Sequence, residues 1–101
     1  MGSRLELHEK FCELLGSRNV YFSPPESFKM QYDAIRYSRS KINNTFANDY
    51  VYKQDDRYEV IAIYRNPDSE LPRKLSLMPK CSHERHYVVD NLNHDVFIIY
   101  Y

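Results

Sequence analysis

His86-Tyr87-Val88-Val89-Asp90-Asn91-Leu92-Asn93-His94-Asp95-Val96-Phe97-Ile98-Ile99-Tyr100-Tyr101 decides the fold. It reads as two apolar strands around a polar Asp-Asn-Leu-Asn-His turn, with the second strand expected to run to Tyr101. A run of Val, Phe, Ile, Ile, Tyr and Tyr invites aggregation unless it is paired and covered. Val96, Ile98 and Tyr100 would face one way and Phe97, Ile99 and Tyr101 the other. Both faces are apolar, so cover is expected on both. The first helix is the candidate for one side, and a second helix or an adjacent subunit for the other. Asp90 to Asp95 resembles a calcium loop in composition but lacks the EF-hand spacing and its terminal Glu, so turn formation by Asn and Asp is the expected role.

Upstream, Asn66-Pro67-Asp68-Ser69 breaks the preceding element. Asp68 or Ser69 is expected to cap a second helix with Pro72 in its first turn. Leu71, Leu75 and Met78 form its stripe, and Pro79 stops it. Arg57 to Arg65 is the clearest strand. It places Tyr58, Val60, Ala62 and Tyr64 on one face and Ile61 and Ile63 on the other, the pattern of a central strand covered on both sides. Tyr50-Val51-Tyr52 starts another strand, with Gln54-Asp55-Asp56 as a turn. Lys41 to Asn48 is polar and Asn-rich and reads as a loop. The whole stretch Lys41 to Asp56 is therefore expected to be a long functional loop, anchored at a neighbour by Phe46 and Tyr50.

Tyr32 to Arg39 alternates as a half-buried strand, with Ile35, Tyr37 and Arg39 opposite Ala34, Arg36 and Ser38. Asn19 to Phe22 is a short strand, and Pro24-Pro25 forces an extended connection after it. At the N-terminal end Ser3-Arg4-Leu5-Glu6 fits a capping box. Leu5, Phe11, Cys12 and Leu15 recur at helical spacing, widened by Leu7 and Leu14, and His8, Glu9, Lys10 and Glu13 read as the solvated side. Gly16 is placed to end this helix in a left-handed conformation. The expectation is one domain over 1–101. Its class is α+β: a largely antiparallel sheet, an N-terminal helix, and a second helix before a C-terminal β-hairpin.

Composition narrows the function classes. Fourteen Lys and Arg balance fourteen Asp and Glu, which argues against nonspecific nucleic-acid binding. Ten Tyr, five Phe and no Trp favour strands and interfaces. Two glycines, Gly2 and Gly16, leave no P-loop or dinucleotide fingerprint. Cys12 and Cys81 read as free thiols of a chain folded in a reducing cytosol. Neither a signal peptide nor a bilayer-length apolar run is present, so no membrane is expected.

The soft-ligand cluster is Cys81-Ser82-His83-Glu84-Arg85-His86, with His94 further on. Strand alternation would put Cys81 and His83 together and turn His86 away. The spacing fits no common zinc signature, and ordinary strand histidines are the expected reading. Cys81, His94 and Asp95 are the right types for a nucleophilic triad, but no spacing brings them together, and no nucleophile elbow or paired carboxylates occur. No enzyme activity, cofactor or metal is therefore expected. Arg36, Arg39 and Lys41, interleaved with Tyr32 and Tyr37, have the chemistry of a nucleic-acid face. The competing reading is a strand whose arginines meet a partner's carboxylates. The expected interface residues are Arg36, Arg39, Phe46, Tyr50 and Tyr52.

Three stretches carry a resemblance: Leu7 to Pro25, Tyr37 to Asn48, and Pro67 to Tyr101. Together they resemble the tail terminator, tail completion or minor capsid proteins of long-tailed bacteriophages. The resemblance implies an α+β subunit in a hexameric ring on the head-proximal end of the tail tube. Such a ring stops tube growth and joins the tail to the head connector proteins. It also implies a place in the virion, at the head–tail junction, after assembly in the host bacterial cytoplasm. Genome DNA would pass through without specific binding, and Glu59, Asp55 and Asp56 are candidates for the lumen. A head-completion or connector ring at the same junction is the nearest alternative, and a small nucleic-acid-binding regulatory module is an alternative from another class.

Overall fold

The first helix forms because its sequence satisfies its own ends. In the computed structural model, which describes residues 3–25, 27–47 and 50–101 but not the side chains of residues 43–54, α1 spans Arg4–Leu15. The Ser3 hydroxyl accepts from the Glu6 N–H at 3.1 Å. Gly16 closes the helix at φ 77°, and its N–H donates to the Cys12 carbonyl, a conformation that costs glycine least. The buried stripe is Leu7, Phe11 and Cys12. Leu5, expected in that stripe, is 67% exposed.

Five strands follow the order β1-β2-β3-β5-β4. They are β1 (Val20–Phe22), β2 (Ala34–Ala47), β3 (Tyr50–Tyr64), β4 (Cys81–Val89) and β5 (Leu92–Tyr100), with the short helix α2 (Leu71–Ser76) between β3 and β4. β1 runs parallel to β2 and the other pairs are antiparallel. The architecture is α+β, with an N-terminal helix, a second helix and a closing hairpin.

α2 starts differently from expectation. Glu70 is its N-cap and makes no side-chain cap bond. The Ser69 hydroxyl still accepts from the Leu71 N–H at 3.3 Å, and Asn66 accepts from the Asp68 N–H at 3.0 Å. The Asp68 and Ser69 region is thus a turn ahead of the helix, and Pro72 sits in its first turn as expected. The helix ends at Ser76, before Pro79 is reached.

The closing turn is tighter than the five residues expected. Asp90 (φ 53°) and Asn91 (φ 61°) form it alone, and Val89 pairs with Leu92. Two successive positive φ values define the two-residue hairpin turn whose twist matches the strands, and Asp and Asn tolerate that conformation best after glycine. Leu92, Asn93 and His94 belong to β5.

Both helices pack on one face of the sheet. Leu7, Phe11, Cys12, Leu71 and Leu75 share a core with Ile35, Tyr37, Tyr58, Val60, Tyr64, Phe97 and Ile99. α2 therefore does not cover the opposite face, as was one expectation. Ala34, Ile63, Val96 and Ile98 are buried on that face without belonging to the helix-side core. The 23–33 connection reaches its β1 end through Phe28, whose ring meets Tyr21 edge-on at 5.3 Å.

Candidate assembly interface

The largest departure from expectation lies in the segment read as a loop. Residues 41–47 and 50–57 are strand, paired in register from Lys41↔Arg57 to Ala47↔Tyr50. Gln54-Asp55-Asp56, read as a turn, lies inside β3. The ladder begun by apolar residues lower in β2 and β3 simply continues. Its upper part lacks the alternation that marks a half-buried strand, so periodicity could not reveal it. Register shifts at Arg39/Lys41 and Thr45/Phe46 break the pattern further.

This upper part is a two-stranded arm. β5 pairs with β3 between Arg57 and Tyr64, and β1 pairs with β2 between Ile35 and Tyr37. A last backbone pair joins Asp56 to Tyr101 at 3.1 and 2.9 Å. Beyond it, the strands of the arm pair with each other. The chain measures 51 × 27 × 22 Å, elongated as a protruding ribbon requires. Phe46, Tyr50 and Tyr52 are on this arm by sequence and backbone register; their side chains lie outside the described residues.

Arg36 and Arg39 are both exposed but not adjacent. Arg36 pairs in register with Tyr21 and Ile61 on the face away from the helices. Arg39 is engaged on the helix side. Its Nε is 3.0 Å from Asp56 Oδ2, its guanidinium donates to the Tyr58 hydroxyl at 3.4 Å, and it lies 5.7 Å from the Tyr58 ring centroid. A single basic stripe of Arg36, Arg39 and Lys41 does not form. The acidic candidates also divide: Asp56 meets Arg39, Asp55 Oδ2 is 3.8 Å from Lys80 Nζ, and Glu59 lies on the face away from the helices, in register with Ile98 and Ser38.

A groove opens where the arm leaves the body. Its volume is about 870 Å³, within the ~300–1,000 Å³ typical of binding clefts. Leu14, Met78 and Tyr101 contribute apolar walls, and Lys10, Lys74 and Lys80 ring it with Glu13 and Asp55. Leu77 on its rim is 84% exposed. Lys10 Nζ lies 4.8 Å from the Tyr101 ring centroid, which keeps a cation beside the apolar wall.

The soft-ligand cluster does come together, though not as strand alternation implied. A bulge between His83 and Arg85 in β4 shifts the register and returns His86 to the side of His83. His83 Nε2 is 2.8 Å and His86 Nδ1 3.1 Å from the same Oδ1 of Asp95. Tyr64 donates its hydroxyl to Oδ2. Asp95 is only 5% exposed. Burial pushes its pKa up, but the hydrogen bonds from Tyr64, His83 and His86 outweigh burial and hold the carboxyl below its ordinary range. Burial and the neighbouring carboxylate raise the pKa of Tyr64.

Sequence alternation does not reveal this buried polar network. Asp95 shares the alternation of Phe97 and Ile99, so its place on the core side was legible; the bulge was not. His94 lies on the other face, stacked on Tyr87 at 4.7 Å, and Cys81 is a half-buried free thiol pushed up to about 11 by burial. Cys81, His94 and Asp95 therefore make no triad. Among the described residues no three His, Cys, Asp or Glu side chains form a metal-binding group.

A second polar contact crosses from α1 to β2. Tyr37 is buried, and its hydroxyl lies 2.7 Å from His8 Nδ1 and accepts from Arg4 at 3.2 Å. His8, expected on the solvated side, is thus a bridge to the sheet. No protein family, curated protein or solved structure matches this chain.

Proposed function

We propose that this chain is the repeating subunit of a ring at the head-proximal end of a bacteriophage tail, where it ends tail-tube growth and joins tail to head. The observation that carries the reading is the arm. A two-stranded ribbon is marginal in water by itself, and this one leaves its body without a third strand. Contact with a neighbouring subunit or with the tail tube supplies what it lacks. The sequence resemblance over Leu7 to Pro25, Tyr37 to Asn48 and Pro67 to Tyr101 supports the same reading.

A connector or head-completion ring at the same junction would use the same arm. The nucleic-acid module is less favoured, because Arg36 and Arg39 diverge and Arg39 already holds Asp56. Glu59, on the face away from the helices and without an ion pair among the described residues, is the remaining candidate for an acidic lumen that lets DNA pass.

The test is assembly. Native mass spectrometry of the purified chain, alone and with tail tubes, should give a closed ring on one tube end, and added chain should limit tube length in electron micrographs. Tubes that keep growing in its presence, with no ring at either end, overturn the reading. Phe46→Ala should leave the subunit folded by circular dichroism and impair tail joining; an unfolded Phe46→Ala subunit would assign the residue to the core instead.

A further inference from the structure

We infer that neighbouring copies join arm to arm through the backbone, the outer edge of β2 in one subunit pairing antiparallel with the outer edge of β3 in the next. This inference rests on the ring reading and names the contact that would build the ring. Among the described residues each arm has two open edges. β1 pairs with β2 only from Ile35 to Tyr37, and the Ser23 N–H closes that pairing on the Tyr37 carbonyl at 2.9 Å. Residues 38–47 of β2 then have a strand on one side only. On the other flank the pairing of β3 ends at the bonds between Asp56 and Tyr101, which leaves residues 50–55 of β3 open. Such an edge is a row of unpaired N–H and C=O groups, a template for another strand.

Direction and charge select the partner. β2 and β3 run antiparallel, and copies related by rotation about a ring axis keep their arms pointing the same way. The β2 edge of one arm therefore meets the β3 edge of the next in the antiparallel sense, and the ladder continues from subunit to subunit. At the base of the arm β2 is basic, with exposed Arg39 and Lys41, and β3 is acidic, with Asp55 and Asp56. Lys41 lies directly across from Arg57, a like-charge neighbour that disfavours the pair. An acidic strand on its other side offsets that repulsion. Asp55 and Asp56 already meet Lys80 and Arg39, and a carboxylate has acceptor sites to spare for a further cation. Pairing of like edges would set cations against cations or carboxylates against carboxylates, and would stop at a dimer. A β2-to-β3 contact is head-to-tail and closes into a ring when its rotation permits.

Ile42 tests the edge. Asp56 exchanges both backbone bonds with Tyr101, so its N–H points away from β2. Ile42, in register with Asp56, points its own N–H away from β3. Proline at that position removes no bond inside the subunit and is tolerated on an edge strand, but it denies the edge to an incoming strand. Ile42→Pro should keep the wild-type circular dichroism, and its ring dissociation in native mass spectrometry should rise about tenfold or more. Amide exchange of the wild-type chain is the second measurement and decides alone if Ile42→Pro does not fold. Residues 38–47 should exchange about tenfold or more slowly in the ring than in the free subunit. Rings with unchanged exchange over 38–47, or Ile42→Pro rings as tight as wild type, would overturn edge pairing between copies and leave the ring reading standing. Ile42→Pro rings that form normally but no longer seat on tail tubes would overturn it as well, and give the edge to the tube. Wild-type chain that forms no ring at any concentration or on tubes would overturn both.

Discussion

Replacing Asp95 by alanine should cost this protein about 2–4 kcal/mol near neutral pH. Asp95 accepts from Tyr64 inside the protein and from His83 and His86 at the β4 edge. Hydrogen bonds to a charged group contribute about 1.5–3 kcal/mol each. The two imidazoles are 44% exposed, so water recovers much of their share. The Tyr64 hydroxyl has no such recourse, since Tyr64 is 4% exposed, and an orphaned buried donor costs about 1–3 kcal/mol. That is a large part of the roughly 5–15 kcal/mol that holds a domain together.

The acid dependence has a definite sign. The folded pKa of Asp95 lies below its ordinary value. Its stabilisation is therefore fully present above the unfolded pKa of about 3.9 and is lost as pH falls through the folded value. Urea unfolding of wild type and Asp95→Ala at pH 7 and near pH 3 measures both effects. The gap should be wide at pH 7 and narrower in acid. A gap under about 0.5 kcal/mol at pH 7, or one that does not narrow in acid, would refute a stabilising carboxylate.

Deleting the last five residues removes Phe97, Ile98 and Ile99, all buried, at roughly 1.5–3 kcal/mol for each large side chain; the truncated chain should be insoluble or unfolded, and a soluble product with native circular dichroism would contradict this. Burial and the nearby Arg4 and Arg18 lower the His8 pKa, so its contribution is present above about 6.5 and lost as pH falls through the lower folded value. NMR titration of the His8 ring should find its midpoint below that of a free imidazole, and a midpoint above it would be wrong for this site. Tyr37→Phe removes the hydroxyl between His8 and Arg4 and should cost about 1 kcal/mol in thermal or urea unfolding.

Elements with a strong local signal could be read directly. Ser3, Glu6 and Gly16 end α1 through groups within a few residues of each other, so no tertiary partner was needed to foresee it. Tyr58, Val60, Ala62 and Tyr64 alternate because one face of β3 is buried against helices, and burial writes its period into the residues. The closing hairpin was legible for the same reason, although its turn was placed too wide because Asn93 and His94 look like turn residues.

What sequence could not convey arises from contacts that leave no periodic trace. The arm has no core of its own to impose alternation, so its Asn-rich strands looked like a loop. The β4 bulge reverses the parity of His86, and only its pairing with β5 creates that reversal. The stripe of α2 told which side of the helix is buried, but the face of the sheet it covers follows from Leu71 and Leu75 sharing one core with Leu7, Phe11 and Cys12 of α1. Local chemistry thus determined where the elements form. The tertiary structure alone decided which faces meet, which carboxylate the histidines reach, and that the strands of the arm leave the body beside a groove.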